Sequence, residues 1–233
     1  MTKKALVWDL PVRIFHWSLA ASFALAYALS ESERLRNVHV MLGYTVLGLI
    51  AFRVLWGFIG SPHARFASFL HTPAAALRYL KDAVAGRPRH YTGHNPAGSW
   101  AVYAILLLGV GTGVTGYLNF NGIGGEGMEE IHGALANAWL AVVVLHVLGV
   151  IFSSFVHREN LARAMVTGYK QGEDMATPPF VARSVGVALA AGVLGFWSWA
   201  LLAGGPPGLA GAPAAGEDED ERVFIAGEET GDD

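Results

Sequence analysis

Five runs of apolar residues, at 12–30, 38–60, 98–118, 131–156 and 184–203, constrain this chain more than any other feature of it. A helix needs about 20 apolar residues to cross roughly 30 Å of hydrocarbon, and each run is close to that length or longer. Inside lipid every backbone N–H and C=O must find its partner within the protein, so consecutive runs of this kind predict helices packed side by side. Composition agrees, because 53% hydrophobic and only 15% charged residues are unusual for a water-soluble domain. The predicted fold class is an all-α integral membrane protein, a four-helix transmembrane bundle plus a fifth transmembrane helix.

The first run resembles a secretory signal, since Lys3, Lys4 and Arg13 precede or enter it and Ala26-Tyr27-Ala28 mimics a cleavage site. Asp9, Arg13 and His16 interrupt the charged-then-apolar order of such a signal, and the segment is therefore read as a retained helix. Basic residues set the orientation. With the amino terminus inside, the outer segments hold only Arg34, Arg36 and Arg222 of the chain's 16 Lys and Arg. The expected location is a bacterial inner (cytoplasmic) membrane, with the amino terminus cytoplasmic and the carboxyl terminus periplasmic.

Cysteine is absent, which excludes disulfides, thiolate metal sites, iron–sulfur clusters and a covalently attached c-type haem as intrinsic features. Between the second and third runs, Thr72 followed by Pro73, with Gly86 and Pro88 at the exit, predicts a short helix. Ala76, Leu77, Leu80 and Val84 share one face of it, as suits a helix lying at the membrane interface. After the fifth run, GGPPGLAGAPAAG reads as a linker, followed by a tail whose stretch Glu217-Asp218-Glu219-Asp220-Glu221 is strongly acidic. The expected organisation is a membrane domain over 7–170, the fifth helix over 184–203, and the linker with its acidic outer tail over 204–233.

Histidine carries the chemistry. His132 and His146 lie fourteen residues apart in one apolar run, a rise of about 21 Å and a rotation about 40° short of four turns, so the two rings share a face at two depths. A single intramembrane histidine is satisfied by a hydrogen bond to a neighbouring helix; two on one face call for partners. His39 opens the second run at the level of His132, and His16 lies at a depth that His146 matches. Two axial imidazoles from facing helices are what a six-coordinate b-type haem requires, and a bundle core supplies an apolar slot for it. The spacing predicts that the bundle is haem-binding, with two haem b irons as the metal sites of His16, His39, His132 and His146.

Gly43, one turn from His39, and Gly149, near His146, leave room for a macrocycle, and Gly109, Gly113 and Gly116 align on the third helix. Such glycines also serve helix packing. Arg53, fourteen residues after His39, is a candidate partner for inner-haem propionates, with Arg13 a second candidate; snorkelling to lipid phosphate is the alternative for Arg53. His94 is expected to cap the third helix together with Asn95. His63, His71, His90, His94 and His157 are not assigned to iron, and His157 is placed near a quinone as a weaker idea.

VWDLPVRIFHW, VHVMLGY, GHNPAGSW and EEIHGALANAWLAVVVLHVLGVIFSSFVHRENLARAMVTGYK together resemble the prokaryotic cytochrome b561 family, which includes b-type cytochrome subunits of nickel–iron hydrogenases. The resemblance implies a four-helix core with two haems b, His16 and His146 on the inner one and His39 and His132 on the outer one. It implies electron exchange between quinone, an exchangeable substrate dissolved in the membrane lipid, and a periplasmic redox partner. A c-type cytochrome is the preferred partner. The alternatives are a superoxide oxidase-like quinone reductase and a haem-bearing anchor subunit of a hydrogenase or other oxidoreductase. A proton-translocating transporter is the non-redox alternative.

Overall fold

The computed structural model describes residues 4–87, 89–171 and 179–202. The described residues form seven helices and one pair of short strands: β1 (Lys4–Leu6), α1 (Leu10–Ala28), α2 (Arg36–Ile59), α3 (Pro73–Val84), α4 (Pro96–Phe120), α5 (Gly125–His157), α6 (Leu161–Thr167), β2 (Tyr169–Gln171) and α7 (Pro179–Leu202). Among the described residues the fold is all-helical apart from two three-residue strands, with two further single 3-10 turns at Glu33–Leu35 and Phe66–Ser68. The linker and acidic tail lie outside the described residues.

Three helices begin with the same device, a side-chain oxygen that accepts a bond from the first turn and a proline just inside it. Asp9 Oδ1 accepts from Val12 N at 2.9 Å, Thr72 Oγ1 from Ala75 N at 3.2 Å, and Asn95 Oδ1 from Gly98 N at 2.7 Å. The cap of α4 is Asn95 alone. His94 was expected to share that role, and instead packs its ring against Trp8 and Phe69, with centroids 4.7 and 4.3 Å away. At its far end α5 is closed by Arg158 in the left-handed conformation, φ 51°.

Among the described residues, four segments are long and apolar enough to cross a membrane: Glu33–Ile59, Pro96–Phe120, Gly125–His157 and Ala182–Leu202. The expected five are therefore four by this measure. The missing one is α1, whose 19 residues reach about 28 Å at 1.5 Å per residue but include Arg13 and His16. It is held in the bundle all the same, packed against α2 and α7. The fourth expected span also begins too late, because the polar turn Gly125 to Glu130 is already helical.

α5 packs chiefly along α4, α4 along α2, and α2 along α1; α7 lies outside α1 and α2. Trp197 Nε1 donates to Thr45 Oγ1 at 2.9 Å and fixes α7 to α2. The core is an apolar layer of Phe15, Leu19, Phe23, Val46, Leu49, Ile50, Leu106 and Trp139, contributed by α1, α2, α4 and α5. β1 and β2 pair antiparallel, Ala5 opposite Lys170, and Val7 N and Trp8 N both donate to Gly168 O at 2.9 and 3.0 Å. That pairing ties the start of the chain to the segment after α6. Gly168 is required there, with φ 89° and a position where a Cβ would stand 2.6 Å from Trp8 O.

α3 packs on α4, and Tyr79 and Ala83 are its buried residues. Its Leu77, Leu80 and Val84 are exposed, so the apolar face expected from the sequence points away from the bundle. A face of that kind, on a helix beside a transmembrane bundle, suits the lipid interface.

Candidate functional site

The heptad spacing of α5 builds the site. His132, Trp139, His146 and Ser153 follow one another every seven residues, each step rotating only about 20° from two full turns, so all four lie on one face. Trp139 and Ser153 are the buried residues of this helix. Trp139 stands midway between the two histidines, 4.3 Å by ring centroids from Phe23 of α1.

At one end of that face His132 meets His39 of α2, ring centroids 6.2 Å apart and planes at 80°. Both rings are held from behind. His39 Nδ1–H donates to Ala26 O at 2.8 Å and His132 Nδ1–H to Thr112 O at 2.9 Å. These bonds fix the tautomer, since a ring nitrogen facing a carbonyl must carry the proton, and each Nε2 keeps its lone pair. A backbone carbonyl behind the second nitrogen is the usual support of a metal-bound histidine. With metal–nitrogen bonds of about 2.0 Å and ring nitrogens about 1.1 Å from ring centres, two imidazoles on opposite sides of one iron have centres about 6 Å apart. The residues present therefore fit an axially ligated haem.

Space beside this pair agrees. A Cβ added to Gly43 would meet nothing within 4 Å, and the same holds at Gly149 near His146. The glycines of α4 serve otherwise. A Cβ at Gly116 would lie 2.8 Å from the His132 ring, at Gly113 2.5 Å from Leu47, and at Gly109 2.5 Å from Ile50 and 2.9 Å from Trp139. They were expected to admit a macrocycle as well; they seat side chains of α2 and α5, and Gly116 lets the His132 ring reach the α4 backbone.

At the other end His16 and His146 lie within electrostatic reach of one another. His16 Nδ1 is sealed from solvent and has no hydrogen-bond partner. Arg53 of α2 is 3% exposed, with its guanidinium 4.9 Å from the centre of the Phe66 ring and 5.9 Å from that of Phe69. Its Nη1 is likewise buried without a partner. Such a cation is costly unless an anion meets it. Asp9 lies close enough to act on it, but that carboxylate accepts bonds from Val12 N and, at 3.0 Å, from Trp56 Nε1. Arg13 stands elsewhere, lining a cavity of about 80 Å³ with Leu6, Asp9, Leu10, Tyr169, Ala182 and Arg183. His94 is close enough to Arg53, Lys170, His146 and His63 to feel each of them, and burial first, then those neighbours, hold its pKa down at about 3.

The sequence of the whole bundle carries a family signature. Residues 7–168 match the prokaryotic cytochrome b561 family. The chain belongs to that family. Among similar proteins are ones named "Probable Ni/Fe-hydrogenase B-type cytochrome subunit". The one from Azotobacter vinelandii is 26% identical over 214 residues, covering 72% of this chain and 89% of its own. The one from Rhodobacter capsulatus is 23% identical over 216 residues, covering 72% and 82%. The one from Rhizobium leguminosarum bv. viciae is 23% identical over 219 residues, covering 72% and 90%. No solved structure matches the chain. As a b561 family member, the chain is a helical membrane cytochrome of the b type.

Proposed function

We propose that this chain is the di-haem membrane subunit of an oxidoreductase, carrying electrons between membrane quinone and a partner on the outer face. The observation that carries this reading is the His39–His132 pair, at the spacing of two imidazoles on one iron, with both Nδ1–H groups committed to carbonyls. The names of the similar proteins favour a nickel–iron hydrogenase, or an enzyme like it, as that partner.

His39 and His132 would hold one haem b, and His16 and His146 the other, about 21 Å along the helix axis. The haems supply reversible one-electron iron chemistry. The chain does the rest. α5 sets both ligand levels on one face, and the Trp139–Phe23 layer fills the interior between them and excludes water. Arg53 would meet the propionates of the haem at the His146 level. The excess of basic residues at that end supports a cytoplasmic side for it. A basic soluble c-type cytochrome remains a second outer partner, favoured by the acidic tail alone.

Replacing His39 or His132 with Ala is expected to leave one haem per chain, and replacing His16 or His146 to leave the other. The full-length protein should bind two. Pyridine haemochrome assays that find two haems in any of the four variants overturn the ligand assignment.

A further inference from the structure

We propose that His157, Tyr79 and Ser153 form a proton relay from the cytoplasmic water to a quinone beside the His146 level, with His90 and Glu159 at its mouth. This rests on the quinone reading above and adds to it a route for protons. The geometry runs inward from the surface. His90 is exposed, with Nε2 3.5 Å from Glu159 Oε2. Its ring stands edge-on to that of His157, with centres 5.6 Å apart, so the step between them would run through a water hydrogen-bonded to both rings' nitrogens. His157 Nε2 is 3.2 Å from the Tyr79 hydroxyl. Tyr79 is 6% exposed, and Ser153 lies close enough to act on its hydroxyl.

From Ser153 the same α5 face leads to His146, seven residues or about 10 Å away, past Gly149, where a Cβ would meet open space. Polar groups on an otherwise apolar helix, aligned from the aqueous end to a metal-ligand level, are what proton delivery through a membrane protein needs. Lys170 lies 3.9 Å from Glu159 and donates to Tyr91 O at 3.0 Å, and Tyr91 packs edge-on against Tyr79. Among the described residues, those are the other charged and titratable groups facing the relay. Each can bias it; the transfer itself needs only a hydroxyl or imidazole at each step.

The balance is simple. Reduction of one quinone to quinol needs two electrons, which two ferrous haems held at the two histidine levels would supply one each, and two protons. Hydrocarbon supplies no protons, so both enter through the protein from water. Quinol oxidation runs the same steps backwards.

The test follows reoxidation of the dithionite-reduced, full-length protein by a short-chain quinone analogue, read in the haem absorption. Tyr79→Phe and His157→Gln are expected to slow it by at least about tenfold, the lower range of positioned acid–base groups. The solvent deuterium isotope effect should rise, with both haems and their reduction potentials unchanged. Ser153→Thr, which keeps the hydroxyl, should stay near the wild-type rate, and Ser153→Ala should not. Wild-type rates and isotope effects in Tyr79→Phe and His157→Gln overturn the relay. A wild-type protein that holds two haems yet does not react with the quinone overturns the quinone reading itself.

Discussion

His94 shows how far a residue's surroundings can move it from its sequence context. In GHNP it reads as a helix cap, yet it sits between Trp8 and Phe69 while Asn95 does the capping. Its folded pKa of about 3 lies below the ordinary 6.5, so the folded protein keeps it neutral where the unfolded chain would bind a proton. Stability from this site is therefore full above pH 6.5 and is lost as pH falls from 6.5 towards 3. Thermal unfolding of the purified protein should show a midpoint that drops across that window, and His94→Gln should flatten part of the drop. An unchanged pH slope in the variant would place the effect on other histidines. The common face of His132 and His146, with His39 at the level of His132, is by contrast legible without any fold, because fourteen residues on a helix nearly close four turns. Their second bonds were not legible. Nothing in the sequence says that Ala26 O and Thr112 O stand behind His39 and His132.

Among the elements, the long helices were readable from apolar length and from cap-plus-proline starts, and the short ones were not. α6 has seven residues and each strand three, too few for a periodic pattern to emerge. α5 was read as starting too late because its first turn is polar, a case where capping and packing extend a helix beyond its apolar run. Glycines separate two uses that a sequence cannot tell apart. Gly109, Gly113 and Gly116 press on side chains, whereas Gly43 opens on empty space. Gly43→Leu should therefore leave helix content unchanged while removing the haem held by His39 and His132. Circular dichroism with haem quantification checks this, and a variant that keeps both haems would mean that the space at Gly43 is lipid-facing. Trp139 is legible in the same way, since seven residues to either histidine put it on the face of His132 and His146, midway between them.

For the whole molecule, charge is distributed as unevenly as hydropathy. The segment from Glu217 to Asp233 holds nine acidic residues and one Arg, whereas the remainder is basic on balance. If the basic loops face the cytoplasm, as the proposed orientation has it, the acidic segment belongs to the outer side, after a fifth apolar run that holds no histidine. A polyanionic segment on the partner's side of the membrane would raise the local concentration of a cationic partner without choosing its docked pose, which is a matter of encounter rate more than affinity. Such attraction is screened beyond a Debye length of about 8 Å at physiological salt. Electron transfer from the reduced protein to a basic soluble c-type cytochrome should thus slow as salt rises. Deleting the chain from Glu217 onward should remove most of that dependence and leave two haems bound. Stopped-flow rates with equal salt slopes in full-length and truncated proteins would show that the tail does not steer the carrier, and would leave a docked oxidoreductase as the partner at the outer face.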